Sequence, residues 1–341
     1  MTGFRRSRRD VLAGMGATAS VAVTGCLDRP LSLGSRSAPS VGPVPAGATA
    51  FGTVDVAALL GSEPLRGLLD GSLPQGDIDG VSDVIDGWIG LDPREIETVS
   101  GFFTPGEQIS GAVIDAAWDI DETVSAFESQ GLKTAETTVS GRRAHTFEMT
   151  GLTVSSLPDG RTVAGVGGGT EAIIATDAGS NSAIGAGVRR AYDRVPSGPV
   201  KFAIDAGNAS GQTVDAITQE LPRFARDVFE SIQFVAGSLS IVDGHPRIRV
   251  QVTGKDGTDA RQLEEYVEAI PPLLKQRVDD DAVSTALDDA SVSRDGKRVT
   301  VSLLGRETVQ PLAGAVAKRV TQSVLSPSLL GLVASTVALL G

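Results

Sequence analysis

Turn glycines and strand hydrophobics recur in this chain at a constant separation, and that recurrence restricts its folds more than any other feature. A shift of 136 residues carries Val99 onto Val235, Gly101 onto Gly237 and Ile114 onto Val250. The same shift carries Asp159-Gly160 onto Asp295-Gly296, Gly169 onto Gly305 and Glu171 onto Glu307. Earlier in the chain Val54-Asp55 falls on Ile204-Asp205 at a shift of 150, which places an insertion in the acidic loop of the first half. Such positions are where backbone geometry and core packing limit the choice of residue. They predict an internal duplication.

Local periodicity fills in the unit. Phe51 to Val56 alternates as a strand, and helical spacing follows from Val56 to Leu69 with Asp55 as a competent cap. Strands are expected over Ile96–Phe103 and Gly111–Ala117, a helix over Asp121–Gln130, further strand pairs through Val166, and a short helix from Thr170. The second half repeats the order. It has a strand at Phe202–Asp205, a helix over Thr213–Glu230, and a hairpin of Ile232–Val242 with Pro246–Thr253 around Asp243-Gly244. A helix over Asp259–Val278, two strands around Asp295-Gly296 and a helix near Glu307 complete it. The expected fold class is α+β: two tandem β-α-β-β-α-β-β-α modules, over residues 46–195 and 196–325, with mostly antiparallel sheets. Aromatics make up only 4% of the chain, so the core is one of Val, Ile, Leu and Ala.

The first 25 residues read as a targeting segment. Arg5, Arg6, Arg8 and Arg9 precede an uncharged run, Val11 to Thr24, too short to span a bilayer of about 30 Å. Ser7-Arg8-Arg9-Asp10-Val11-Leu12 resembles the twin-arginine export consensus, and Val23-Thr24-Gly25-Cys26 resembles a lipobox. The resemblance implies a lipoprotein signal peptide over 1–25, with Arg8 and Arg9 as the export signal. It implies lipidation of Cys26 and residence on the outer, extracellular side of the cytoplasmic membrane. Cys26 is the sole cysteine, so no intramolecular disulfide can form. Leu27 to Pro45 is rich in Ser, Pro and Gly and is expected to be a flexible tether. Val320 to Gly341 is 22 residues without charge, interrupted by Pro327. A buried or interfacial final helix (326–341) is the first reading and a membrane span the second. The element order resembles repeat domains of unknown function in microbial surface lipoproteins, which implies no functional residues.

Charge narrows the partners. Without residues 1–25 the basic count falls from 30 to 26 and the acidic count from 42 to 41, a net charge of −15. A balance this acidic argues against nucleic acid, whose phosphates demand clustered Lys and Arg. With only six lysines, the chain is similar to proteins of extreme halophiles; an ordinary acidic protein is the alternative.

No catalytic pattern survives inspection. Gly165-Val166-Gly167-Gly168-Gly169-Thr170 sits between a strand and a helix, but Thr170 replaces the third glycine of a dinucleotide loop and no lysine follows as in a P-loop. A flexible connection is expected there, with one glycine required by the structure. His145 and His245 are 100 residues apart and read as surface or turn residues. No Gly-x-Ser-x-Gly elbow occurs, and no cofactor is expected. Asp77, Asp79 and Asp83, with Gly80 and Asp86, partly resemble a calcium loop, though the terminal glutamate of an EF-hand is missing.

The sequence thus predicts a non-enzymatic, lipid-anchored surface protein with a binding or scaffolding role, facing a protein partner. The alternative is a solute-binding protein or carboxylate-based hydrolase working in a cleft between the two modules. The charge balance yields a test. Thermal unfolding of the mature chain should fall clearly as salt drops from molar levels to ~0.1 M, where the Debye length reaches about 10 Å and carboxylates repel one another. A flat or inverse response would end the halophile reading.

Overall fold

The computed structural model describes residues 41–70, 92–104, 109–129, 131–148, 150–208, 230–275, 290–305 and 309. The first strand, β1 (Ala50–Asp55), runs straight into helix α1 (Val56–Gly61). Asp55 ends the strand and caps the helix, its carboxylate accepting from the Ala58 N–H at 2.7 Å. The single helix expected over 56–69 is two, because Pro64 has no N–H and its ring excludes a continuous turn. The chain breaks at Ser62, and α2 spans Glu63–Asp70.

Strands β2 (Ile96–Thr104) and β3 (Ile109–Ala116) follow, then α3 (Ile120–Ser129). A reciprocal cap starts α3: the Glu122 N–H donates to the Asp119 carboxylate and the Asp119 N–H to Glu122, both at 2.9 Å. Four strands come next: β4 (Thr134–Val139), β5 (Arg142–Phe147), β6 (Thr153–Ser156) and β7 (Thr162–Val166). They lead to α4 (Gly169–Asp177) and α5 (Ala186–Arg194), the latter not anticipated by periodicity. Then come β8 (Val200–Asp205), β9 (Ile232–Val242), β10 (His245–Gly254), α6 (Gly257–Lys275), β11 (Ser291–Asp295) and β12 (Arg298–Leu304). Asp243 and Gly244, both at positive φ, turn β9 into β10 as the Asp-Gly pair predicts. Gly160 and Gly296 also take positive φ in strand-to-strand turns.

Among the described residues twelve strands form one antiparallel sheet, in the order β11-β12-β10-β9-β8-β1-β2-β3-β7-β6-β5-β4. The α+β class holds. Two tandem modules with separate sheets do not, because β1 pairs with β8 from Ala50↔Ile204 to Val54↔Val200 and closes the halves into one ladder. Unpaired, either strand would leave a row of N–H and C=O groups without partners. One side of the sheet carries α1, α2, α3 and α6, through Val56, Leu65, Val124 and Leu263. The other carries α4 and α5, through Ile173, Ile174, Val188 and Tyr192, over Phe51, Phe102, Val163 and Ala203. Val41 to Pro45, expected in the tether, lies on this second side. Val44 is buried there and its carbonyl accepts from the Ile184 N–H at 2.9 Å.

Register refines the correspondence between halves. Val54 pairs with Val99 and Ile204 with Val235, as the shifts of 150 and 136 require. Ile114 stands opposite Val99, but Val252, not Val250, stands opposite Val235. The β9–β10 hairpin is two residues longer than β2–β3, so one ungapped shift does not hold across it.

The glycine-rich loop is a close approach of backbone to backbone, and it needs more than the one glycine expected there. Gly167 and Gly168 take φ of 62° and 93°, which side chains disfavour. A Cβ on Gly169 would lie 1.8 Å from the Ser110 carbonyl oxygen, and one on Gly165 would lie 2.4 Å from the Thr170 nitrogen. Several glycines are therefore needed, to seat α4 directly on the backbone of β3. Gly169→Ala should cost about 3 kcal/mol or more, since only backbone could give way. Gly61→Ala, in open space on a helix, should not destabilise. Urea unfolding of both variants checks this, and equal midpoints would refute the close-approach account.

Candidate functional site

The sequence-predicted site residues Arg8, Arg9, Cys26, Asp77, Asp79 and Asp83 lie outside the described residues, as do the helix over 213–229 and the C-terminal apolar run. Among the described residues no group of His, Cys, Asp and Glu is placed to hold a metal ion, and no helix is long and apolar enough to cross a membrane. His245 is exposed at the β9–β10 turn. His145 is instead buried on β5, opposite Val154, with no partner for Nε2 among the described residues. Alternation placed it there: Phe147, on the same side of β5, packs against Phe127 of α3.

Two features that sequence reasoning missed stand out, both built around α5. The first is a buried polar row. Ser100, Thr53, Lys201 and Ser238 occupy adjacent positions on β2, β1, β8 and β9, so the pairing of strands aligns them across the sheet. All four are buried, and Lys201 is only 4% exposed. Its ammonium lies 4.3 Å from the centre of the Tyr192 ring, a cation–π contact. The Tyr192 hydroxyl shares a short hydrogen bond with Thr53, and its ring packs on Phe51 at 4.8 Å. Burial pulls the Lys201 pKa below its ordinary 10.5; Asp193 works against the drop and Arg189 adds to it. Burial raises the Tyr192 phenol above its ordinary 10.0, opposed by the bond to Thr53.

The second feature is a groove of about 470 Å³ between α5 and the turn joining β11 to β12. Arg190 and Arg194 reach it from one side of α5, and Lys297 and Arg298 from the turn, with Asp295 the one carboxylate. Phe234 of β9 forms its apolar floor. The helix can lie this low because a Cβ on Gly187 would come within 2.6 Å of Phe234 Cζ. Cations thus converge on one spot of a chain with net charge −12.

Among the described residues the carboxylates with displaced pKa values are Asp92, Asp159 and Asp256, and all are lowered. The Arg161 side chain holds Asp159 down, and the N–H groups of Asp259 and Thr258 hold Asp256 down. Asp92 falls because the hydrogen bonds and charge of Arg94 together outweigh desolvation. These groups are held ionised, the reverse of what a general acid needs.

Lys201 gives a test of the polar row. Between its lowered folded pKa and 10.5 the unfolded chain binds more protons there, so its contribution to stability rises with pH through that window. Tyr192 acts in the opposite sense only above 10.0. Approaching pH ~10 from below, denaturant unfolding should show Lys201→Met losing this upward trend relative to the parent chain. Identical pH slopes would refute a buried, desolvated ammonium.

No protein-family model matches the chain, and no curated protein matches it either. Among solved structures it is similar to TP0453 in three crystal forms. Crystal form III gives a TM-score of 0.48 at 13% identity, over 81% of this chain and 97% of that one. Form IV gives 0.46 at 12% identity over 82% and 97%, and form I gives 0.44 at 12% over 81% and 98%.

Proposed function

We propose that this chain is exported by the twin-arginine route, lipidated at Cys26 and held on the outer face of the cytoplasmic membrane. Its body serves there as a non-enzymatic binding or scaffolding module for a partner at the surface. The anchoring part rests on the order and spacing of Arg8-Arg9, the uncharged run and Cys26. The binding part rests on the groove beside α5, whose converging cations are arranged to hold an anionic group rather than to break a bond. Among the described residues β1 and β8 are joined at the seam by a ladder, so the alternative of a carboxylate hydrolase needs its cleft elsewhere than between these two strands.

The body reads further as a duplicated unit. Outward from the β1–β8 seam the order is β1-β2-β3-β7-β6 on one side and β8-β9-β10-β12-β11 on the other. The central pairing of Val54 with Val99 and Ile204 with Val235 supports the same reading. Strands β4 and β5 extend the first half alone among the described residues.

Cys26→Ser removes the thiol that accepts lipid. The variant should appear in the medium or accumulate as an unprocessed precursor, as cell fractionation and intact-mass measurement would show. One acyl chain binds membranes only marginally, so stable retention of the parent implies a second chain or a contribution from the C-terminal run. A variant that stays in the membrane fraction and is processed as before would overturn the anchoring.

A further inference from the structure

The groove beside α5 allows its ligand to be named by class. We infer that it binds a phosphate or sulfate group, held by Arg190 and Arg194 on one side and by Lys297 and Arg298 on the other. This deepens the binding reading and rests on the same groove.

The charge pattern on α5 separates this surface from ordinary solvated helix. Arg189 points away from the groove and is paired with Asp193 one turn on, at 3.1 Å. Arg190 and Arg194, also one turn apart, have no ion pair or hydrogen bond among the described residues. Like charges at that spacing oppose each other. The dipole at the end of α5 favours a cation at Arg194, in its last turn, but gives no reason for Arg190.

The turn opposite adds to the imbalance. Asp295 is engaged by Arg298 in an ion pair across the hairpin, so its charge is already answered. The Lys297 ammonium donates to the Lys255 carbonyl at 2.8 Å, which fixes its position; part of its charge is felt by Asp256, whose carboxylate lies outside the groove lining. The groove lining therefore carries four cations against one carboxylate, in a chain with a net charge of −12. An oxyanion relieves that repulsion, and two planar guanidinium forks suit its paired oxygens better than a halide does. The volume of about 470 Å³ admits the anion together with part of whatever carries it. A long polyanion is disfavoured, because beyond the groove it would meet the net negative body.

The same anion could come free in solution or on the headgroup of an anionic phospholipid, and the test has an arm for each. The full chain is titrated with inorganic phosphate at constant ionic strength, with chloride as the matched control, followed by calorimetry and by the shift in melting temperature. Saturable binding absent with chloride is expected, weakened about tenfold or more in Arg190→Gln/Arg194→Gln, and intermediate in Arg190→Lys/Arg194→Lys, which keep the charge and lose the fork. Vesicles of phosphatidylglycerol, compared with vesicles of phosphatidylcholine, form the second arm. Binding there that exceeds phosphate and needs the same arginines assigns the group to a headgroup; equal or weaker binding assigns it to a soluble ligand. Phosphate binding no better than chloride, or unchanged in the glutamine variant while that variant melts like the parent, would overturn the inference. Either failure leaves the anchoring reading to its own test at Cys26, since no step here uses the lipid.

Discussion

The antiparallel ladder between β1 and β8 is the interaction on which the rest of the structure depends. It joins residues about 150 apart in sequence, and it converts two half-sheets into one surface of twelve strands. Without it β1 and β8 would be interior-type strands standing at an edge, with unpaired backbone groups. The seam is also packed through side chains. Phe202 of β8 lies between Gly52 of β1 and Gly237 of β9, and a Cβ at Gly237 would come within 2.5 Å of the Phe202 ring. The small neighbours make room for the large one, so the aromatic covers backbone that the glycines leave bare. On the opposite side Phe51, Phe102 and Ala203 bring residues from both halves into the core beneath α4 and α5.

Because the sheet is continuous, its two sides could specialise. Among the described residues four helices cover one side, and the other carries α4 and α5. The latter pair is brought unusually close. Gly165 lets the first turn of α4 lie against β7, Gly169 lets it rest on the backbone of β3, and Gly187 lets α5 rest on Phe234. Close approach of α5 is what buries Lys201 under Tyr192 and, on the helix's other flank, brings Arg190 and Arg194 within reach of the β11–β12 turn. One helix placement thus accounts for both the buried polar row and the cationic groove.

Electrostatically the molecule has two regimes. Acidic residues outnumber basic ones by 42 to 30, and among the described residues Asp92, Asp159 and Asp256 are held ionised by local N–H groups and arginines. The cations beside α5 reverse that sign over a small area. In the binding proposed for the groove, such a local reversal within a net negative chain would favour a small anion over a long one.

Much of this was legible in the sequence alone. Alternation and helical spacing placed most strands and helices, because those periods depend on residues two to four apart. Asp-Gly pairs located the β9–β10 and β11–β12 turns, since positive φ is a local demand. The motifs around Arg8-Arg9 and Cys26 are likewise linear signals. Pro64 could have split the first helix on the same local grounds. Only the tertiary structure decided that the halves share one sheet, because the β1–β8 pairing is no more visible in either strand than any other pairing of alternating segments. It alone decided that Gly169 is a contact residue, that His145 is buried, and that Ser100, Thr53, Lys201 and Ser238 line up across four strands. The same holds for the groove: Arg190 and Lys297 are 107 residues apart, and their charges add only once the fold has set α5 beside the turn.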